Sequence, residues 1–346
     1  MPTLVGLDIG TSAVRAVEVR THGKRASLVK AGRVPLPPGA VDGGQVREPV
    51  EVTKAVRRLW HEQKFTTRSV RLGVGSGSVL VRPVELDWMP PQDLRKAMRF
   101  LVADLLPVPV DEANIDHVQL EDVERDGKRM VRVLLVATAR DGVDETVRAV
   151  RAAGLRPTTA DLSPLALVRA AARARREGLG DGAAGAPEAV VDVGAEKVAV
   201  AVHTDGLPRF VRVIPGLGGA GLTRTLAELL GPDADAEEAK RHLQLRPDAA
   251  GAVAAGAVRG AAQRIADEVR DTLRFHAGAD PEHAPHRIVL SGLGGRNPGF
   301  GDLLAATVGL PVTPLVLPER RRSRHAETAD DGDLAVGYGL CLGATA

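Results

Sequence analysis

A strand-like, largely apolar run spans residues 3–7 of this 346-residue chain, breaks at Asp8-Ile9-Gly10-Thr11-Ser12, and resumes over residues 13–19 in alternating apolar and polar order. Two such runs around a glycine-containing break predict two strands joined by a tight turn, a hairpin. The same pattern returns over residues 189–193, breaks at Asp192-Val193-Gly194-Ala195-Glu196 and resumes over residues 197–202. The first copy ends at His22-Gly23 and the second at Asp205-Gly206. One repeat about half a chain away indicates duplicated domains facing one another, because a solenoid would repeat every ~20–50 residues.

Between the copies, apolar spacing predicts a helix over residues 50–63 and strands over residues 70–74 and 79–84 joined by a Gly-Ser turn. A helix is predicted from Pro90 through Leu94, Ala97, Met98, Leu101 and Leu105, stopping at Pro107. Two strands follow, residues 115–121 and 129–138, with Arg125-Asp126-Gly127-Lys128 as their hairpin turn. Helices are predicted over residues 141–153 and 165–176, and the Gly- and Ala-rich stretch 178–187 reads as a linker. In the second half, residues 222–230, 236–243 and 253–276 read as helices, the last with Val258, Ile265, Val269, Leu273 and Phe275 inward. A strand over residues 287–290 runs into Ser291-Gly292-Leu293-Gly294-Gly295-Arg296, residues 318–331 form a charged exposed loop, and a small-residue helix closes the chain over residues 334–344. The implied division is a first domain over 1–177 with an inserted subdomain at about 84–138, a linker over 178–187, a second domain over 188–330, and a C-terminal helix over 331–346 packing back toward the first.

Composition narrows the class. Hydrophobic residues at 44% and charged residues at 26% are ordinary for a globular chain. The 46 basic side chains nearly cancel the 44 acidic ones, so no net field gathers nucleic acid, and aromatic residues at 2% leave few rings to stack on bases. Cys341 is the sole cysteine, which excludes internal disulfides and thiolate cages, and the nine histidines show no metal-ligand spacing. The first residues lack a basic stretch followed by an apolar one, and no stretch reaches bilayer-spanning length. A cytoplasmic protein is expected, with no direct membrane insertion and any membrane contact made through a partner.

The chemistry lies at the breaks. A tight turn of small residues lets backbone N–H groups converge on a phosphate, and Gly10-Thr11-Ser12 supplies one. Asp8, at the end of the preceding strand, would point toward those phosphates, an arrangement that makes sense with Mg2+ between them. Asp192, Gly194 and Ala195 offer the same geometry from the second copy, so two turns would clamp one polyphosphate, with Arg15 adding a charge-assisted contact. Asp8 and Asp192 are the candidate metal ligands. A third glycine turn, Gly292, Leu293 and Gly294, follows a strand and opens a helix, where a nucleoside can approach backbone closely and Arg296 can stack on adenine.

In this order the three elements resemble the phosphate-1, phosphate-2 and adenosine motifs of the superfamily of actin, sugar kinases and heat-shock chaperones. Within it the stretch from Gly6 to Glu18 is similar to the opening motif of the PilM family of type IV pilus proteins, which usually has Lys where Arg15 stands. Residues 84–116 resemble that family's extra subdomain, and the helix end from Asp267 to His276 resembles another family segment, in which Glu268 would approach the ribose. The resemblance implies a two-lobed, duplicated actin-like α/β fold with an inserted α/β subdomain, ATP and Mg2+ as ligands, and slow or no hydrolysis. It further implies binding of the N-terminal tail of the inner-membrane protein PilN in a groove beside the insert, where Leu86, Trp88 and Met89 either line the groove or pack internally. Self-association is a further expectation. A sugar or small-metabolite kinase would need a carboxylate base, for which Asp161 is a candidate alongside its reading as a helix cap. A cell-division homologue such as FtsA would need a C-terminal amphipathic helix, which the closing residues do not supply.

Overall fold

The computed structural model describes residues 3–22, 25–75, 79–179, 183–231, 252–318 and 331–343. Strands β1 (Thr3–Ile9) and β2 (Ala13–His22) pair antiparallel with Asp8 opposite Arg15, as the alternation requires. The meander continues into β3 (Arg25–Pro35), a strand the alternation did not reveal because Arg25, Lys30 and Arg33 interrupt its apolar order. A short hairpin, β4 (Val41–Asp42) and β5 (Gln45–Val46), leads into α1 (Pro49–Gln63), whose Pro sits in the first turn where no N–H is needed. β6 (Ser69–Val74) then runs parallel to β1.

β7 (Leu80–Asp87), α2 (Pro91–Leu101), β8 (Ala113–Arg125) and β9 (Lys128–Ala139) form the insert, a three-stranded sheet of order β7-β9-β8. Its hairpin turns at Asp126 and Gly127, both at positive φ, as a two-residue turn demands. α2 ends at Leu101 rather than running on to Leu105, and a 3-10 turn at Ala103–Leu105 takes over while Val102 and Leu105 stay packed against the insert's core. Leu86 and Met89 belong to that core, whereas Trp88 lies half exposed against the Arg129 guanidinium, 3.9 Å from its ring centre. α3 (Arg140–Ala152), β10 (Arg156–Leu162) and α4 (Ser163–Arg176) complete the first half, giving a sheet of order β10-β6-β1-β2-β3.

The second half repeats this plan. β11 (Pro187–Val193), β12 (Lys197–Thr204) and β13 (Leu207–Pro215) form a meander, followed by α5 (Gly219–Leu230) and α6 (Ala252–Ala279). β14 (Ile288–Ser291), α7 (Phe300–Val308), β15 (Val312–Pro314) and α8 (Asp331–Cys341) follow. The sheet order is β13-β12-β11-β14-β15, with β14 parallel and β12 antiparallel to the central strand, the same relations that β6 and β2 have to β1. Val258, Ile265, Val269 and Leu273 line the buried face of α6. Phe275 does not join them; it is 68% exposed, because a residue two positions beyond Leu273 lies about 200° around the helix. The helix expected over residues 236–243 and nearly all of the charged segment 318–331 fall outside the described residues.

The two sheets face each other across α4 and α8. Val17, Val19 and Leu28 of the first sheet and Val190 and Val289 of the second bury their side chains against Ala166 and Ala170 of α4 and Leu334 and Tyr338 of α8. α1 and α3 cover the outer face of the first sheet, and α5, α6 and α7 that of the second.

Candidate functional site

Both Asp-x-Gly turns close with the same backbone hydrogen bond. Gly10 N–H donates to the Ala13 carbonyl at 3.0 Å, and Gly194 N–H donates to the Lys197 carbonyl at 2.9 Å. Each aspartate precedes its turn on a central strand, with Asp8 beside Gly73 of β6 and Asp192 beside Ser291 of β14. The duplication therefore places the two carboxylates in equivalent positions of opposed sheets. They sense one another. Burial raises both pKa values, and the Asp8 charge helps push Asp192 up to about 6.

Two cations reach this pair from non-equivalent positions of the repeat. Arg15, on β2, lies 3.5 Å from Asp8, pairs with Asp333 at the start of α8, and donates to the Ala13 carbonyl at 3.3 Å. Asp333 also meets Arg33 at 3.4 Å. The Arg15 side chain, read from sequence as a phosphate contact, thus already serves as counter-ion beneath the first turn. Lys197, on β12, donates from Nζ to the Gly75 carbonyl of the opposite lobe and lies within the fields of Asp8 and Asp192.

The third glycine turn sits directly on the second. A Cβ on Gly294 would come within 2.6 Å of Val193 Cγ1 and 2.9 Å of the Val193 carbonyl, so glycine is required by close approach. Gly292 has φ +83 and precedes a 3-10 turn over Leu293–Arg296; the α-helix begins only at Phe300, after Asn297-Pro298-Gly299. Leu293 and Arg296 are exposed, while Gly294 and Gly295 are buried.

A fourth glycine-rich segment completes the cradle. At the start of α5, Gly219 N–H donates to the Gly194 carbonyl at 2.9 Å and Ala220 N–H to the Ala195 carbonyl at 2.8 Å, which docks the helix end on the second turn. The signal was present in the run Gly216-Leu217-Gly218-Gly219-Ala220-Gly221, but no strand break marked it as part of the repeat. Between the lobes lies a cavity of about 250 Å³ lined by Thr11 and Gly44 on one side and Ala195, Lys197, Gly216 and Arg224 on the other. Glu268 is not among the residues lining it; on α6, its carboxylate stands 4.0 Å from Arg212 of β13. Asp161 is ion-paired with Arg169 of α4, and the α4 cap position belongs to Leu162 rather than to Asp161. The buried Ser163 hydroxyl, close to Gly73 and Gly75, has no hydrogen-bond partner among the described residues.

The donor set fits a cation carried in with a polyanion. No group of three His, Cys, Asp or Glu among the described residues would hold a metal by itself. Two mutually repelling carboxylates supply part of a shell that Mg2+ would complete with phosphate oxygens and water.

Comparison with known proteins follows the same lines. The family model described as type IV pilus assembly protein PilM matches residues 6–335. A solved PilM-PilN type IV pilus biogenesis complex is 27% identical to this chain, covering 98% of it and 97% of that chain, with a TM-score of 0.81. Ethanolamine utilization protein EutJ from Carboxydothermus hydrogenoformans is 16% identical, covering 99% of this chain and 90% of that one, with a TM-score of 0.59. MreB 5 of Spiroplasma citri, solved with AMPPNP, is 11% identical, with coverage of 99% and 96% and a TM-score of 0.57. The fold is the duplicated, two-lobed actin-like one expected from the sequence. Among the described residues no helix is long and apolar enough to cross a membrane.

Proposed function

The chain belongs to the type IV pilus assembly protein PilM family, and from that membership we propose that it is the ATP-binding, actin-like component of a pilus assembly complex. It acts at the cytoplasmic face of the inner membrane, where it grips the N-terminal tail of a PilN-like protein. The observation that carries nucleotide binding is the pair of equivalent Asp-x-Gly turns facing one another from opposed sheets, each closed by the same hydrogen bond. The relative solved in complex with PilN supports the partner. Mg2+, when bound, supplies positive charge between the carboxylates and the phosphate oxygens. Asp8 and Asp192 would hold it, backbone N–H groups of the Gly10 and Gly194 turns would face the phosphates, and the Gly292–Gly295 segment would lie against the nucleoside.

Hydrolysis is slow or absent in this reading. A general base must reach the attacking water, and several of the acidic groups near the turns are engaged: Asp333 with Arg15 and Arg33, Asp161 with Arg169, while Asp8 and Asp192 would hold the cation. Asp42 and Glu196 also line the cavity, so the single-turnover rate decides this part. The same pairing of Asp161 disfavours a metabolite kinase. Calorimetric titration with Mg-ATP tests the reading: binding is expected in the native chain, and Asp8→Ala and Asp192→Ala should each weaken it at least ~10-fold, the effect of losing ~1.4 kcal/mol. Undiminished affinity in both variants rejects the site, and a single-turnover rate above about 1 s⁻¹, the lower edge of ordinary enzyme turnover, rejects the slow-hydrolysis part.

A further inference from the structure

Lys197 is the residue the nucleotide reading leaves unused. It opens β12 in the position where the first copy has Ala13, since Gly194 bonds to Lys197 as Gly10 bonds to Ala13. The duplication therefore gives no structural reason for a lysine there: the same turn closes in the other lobe around a methyl group. Its ammonium nonetheless crosses from the second lobe to the Gly75 carbonyl of the first, at the end of β6, and it lines the cavity between the lobes beside Thr11, Ala195 and Arg224. The contact is close enough that a Cβ on Gly75 would overlap Nζ.

We propose that Lys197 is the phosphate-reading residue of the cleft and its latch: without nucleotide it ties the lobes through the Gly75 carbonyl, and with nucleotide it turns its ammonium to the polyphosphate and releases that tie. The inference rests on the nucleotide reading above and assigns one more residue to the same site.

Charge decides the direction. Lys197 lies in the negative field of Asp8 and Asp192, which only partly offsets the cost of burying an ammonium and leaves its pKa below the ordinary lysine value. With a divalent cation held by those carboxylates, Lys197 would lose that attraction and face a like charge instead. The polyphosphate arriving with the cation is the new anion within the cavity that Lys197 already lines. Lysine suits the exchange, because a compact ammonium on a flexible stem moves between a carbonyl and a phosphate oxygen by side-chain rotation. The unpartnered Ser163 hydroxyl lies beside Gly75 and gives this corner a second polar group facing the place Lys197 would vacate.

The test is calorimetric titration of Mg-ATP into the native chain and three variants, with circular dichroism to establish folding. Lys197→Met should bind at least ~10-fold more weakly, and Lys197→Arg, which keeps the charge, should stay within ~3-fold of the native chain. Gly75→Ala, which evicts the ammonium from its carbonyl without removing it, should bind as tightly as the native chain or more tightly. Failure of the native chain to bind Mg-ATP overturns the nucleotide reading itself. Binding by the native chain with Lys197→Met within 3-fold of it overturns this inference alone. So does a 10-fold loss in Gly75→Ala, even where Lys197→Met fails to fold, because the Gly75 contact would then support binding rather than compete with it.

Discussion

At the scale of the residue, the cleft stores instability in Asp192. Its folded pKa of about 6 stands roughly two units above the ordinary aspartate value, equivalent to about 3 kcal/mol between its two protonation states. Between the two values the folded protein holds a proton that the unfolded chain has lost, so stability falls as pH rises through this window and the full penalty stands above about pH 6. Asp192→Asn should therefore stabilise the ligand-free protein near neutral pH by up to about 3 kcal/mol, an advantage that closes as pH falls toward ~4. Denaturant midpoints across that range check it, and a variant less stable than the native chain near neutrality refutes it. Both aspartates were legible in the sequence because a repeat exposes equivalent positions. Lys197 was not, because a lysine opening a strand reads as solvated until the opposite lobe is placed against it. Arg15 was legible as a charge near the first turn, but its partner Asp333 is 318 residues away and only the fold brings them together.

At the scale of the element, tight helix packing is bought with missing side chains. α8 passes between β1 and α4 so closely that a Cβ on Gly6 would overlap the Gly337 carbonyl and a Cβ on Gly339 the Ala166 carbonyl. Backbone carbonyls of a packed helix cannot swing aside, so Gly339→Ala should destabilise the protein by about 1–3 kcal/mol. Gly260→Ala, inside α6 where the nearest atom is 4.0 Å away, should instead stabilise it by about 0.5–1 kcal/mol through helix propensity. Opposite shifts of the two denaturant midpoints are expected; equal losses would show that the effect is not overpacking. The small-residue pattern of α8 announced a helix but not what it would touch. The third strand of each meander was illegible for a related reason. Arg33 of β3 pairs with Asp333, Arg209 of β13 with Glu121, and Arg212 bonds to Thr272, so charges that break the alternation are satisfied by elements distant in sequence.

At the scale of the whole molecule, the insert is built into the frame rather than hung from it. Leu134 of β9 is buried with Leu165 and Val168 of α4 and with Ala201 and Val211 of the second sheet, and Arg209 of β13 reaches Glu121 of β8 at 3.2 Å. A cluster drawn from the insert, the connecting helix and the second lobe cannot lose one part without exposing the others, so thermal unfolding should be a single transition. Leu134→Ala, which removes a fully buried side chain, should lower that transition by the equivalent of about 2–5 kcal/mol without splitting it. Mg-ATP at about 100 times its dissociation constant should add about 2.7 kcal/mol in both proteins, because none of the residues packed around Leu134 lines the cleft and its affinity is expected to be unaffected. Differential scanning calorimetry distinguishes the cases. An early second peak in Leu134→Ala would mean that the insert melts alone, and its contacts with β12 and β13 would then be incidental. A single shifted peak that Mg-ATP raises as in the native chain places the insert in the same cooperative unit as the nucleotide cleft, which is the condition for a change at one to be felt at the other.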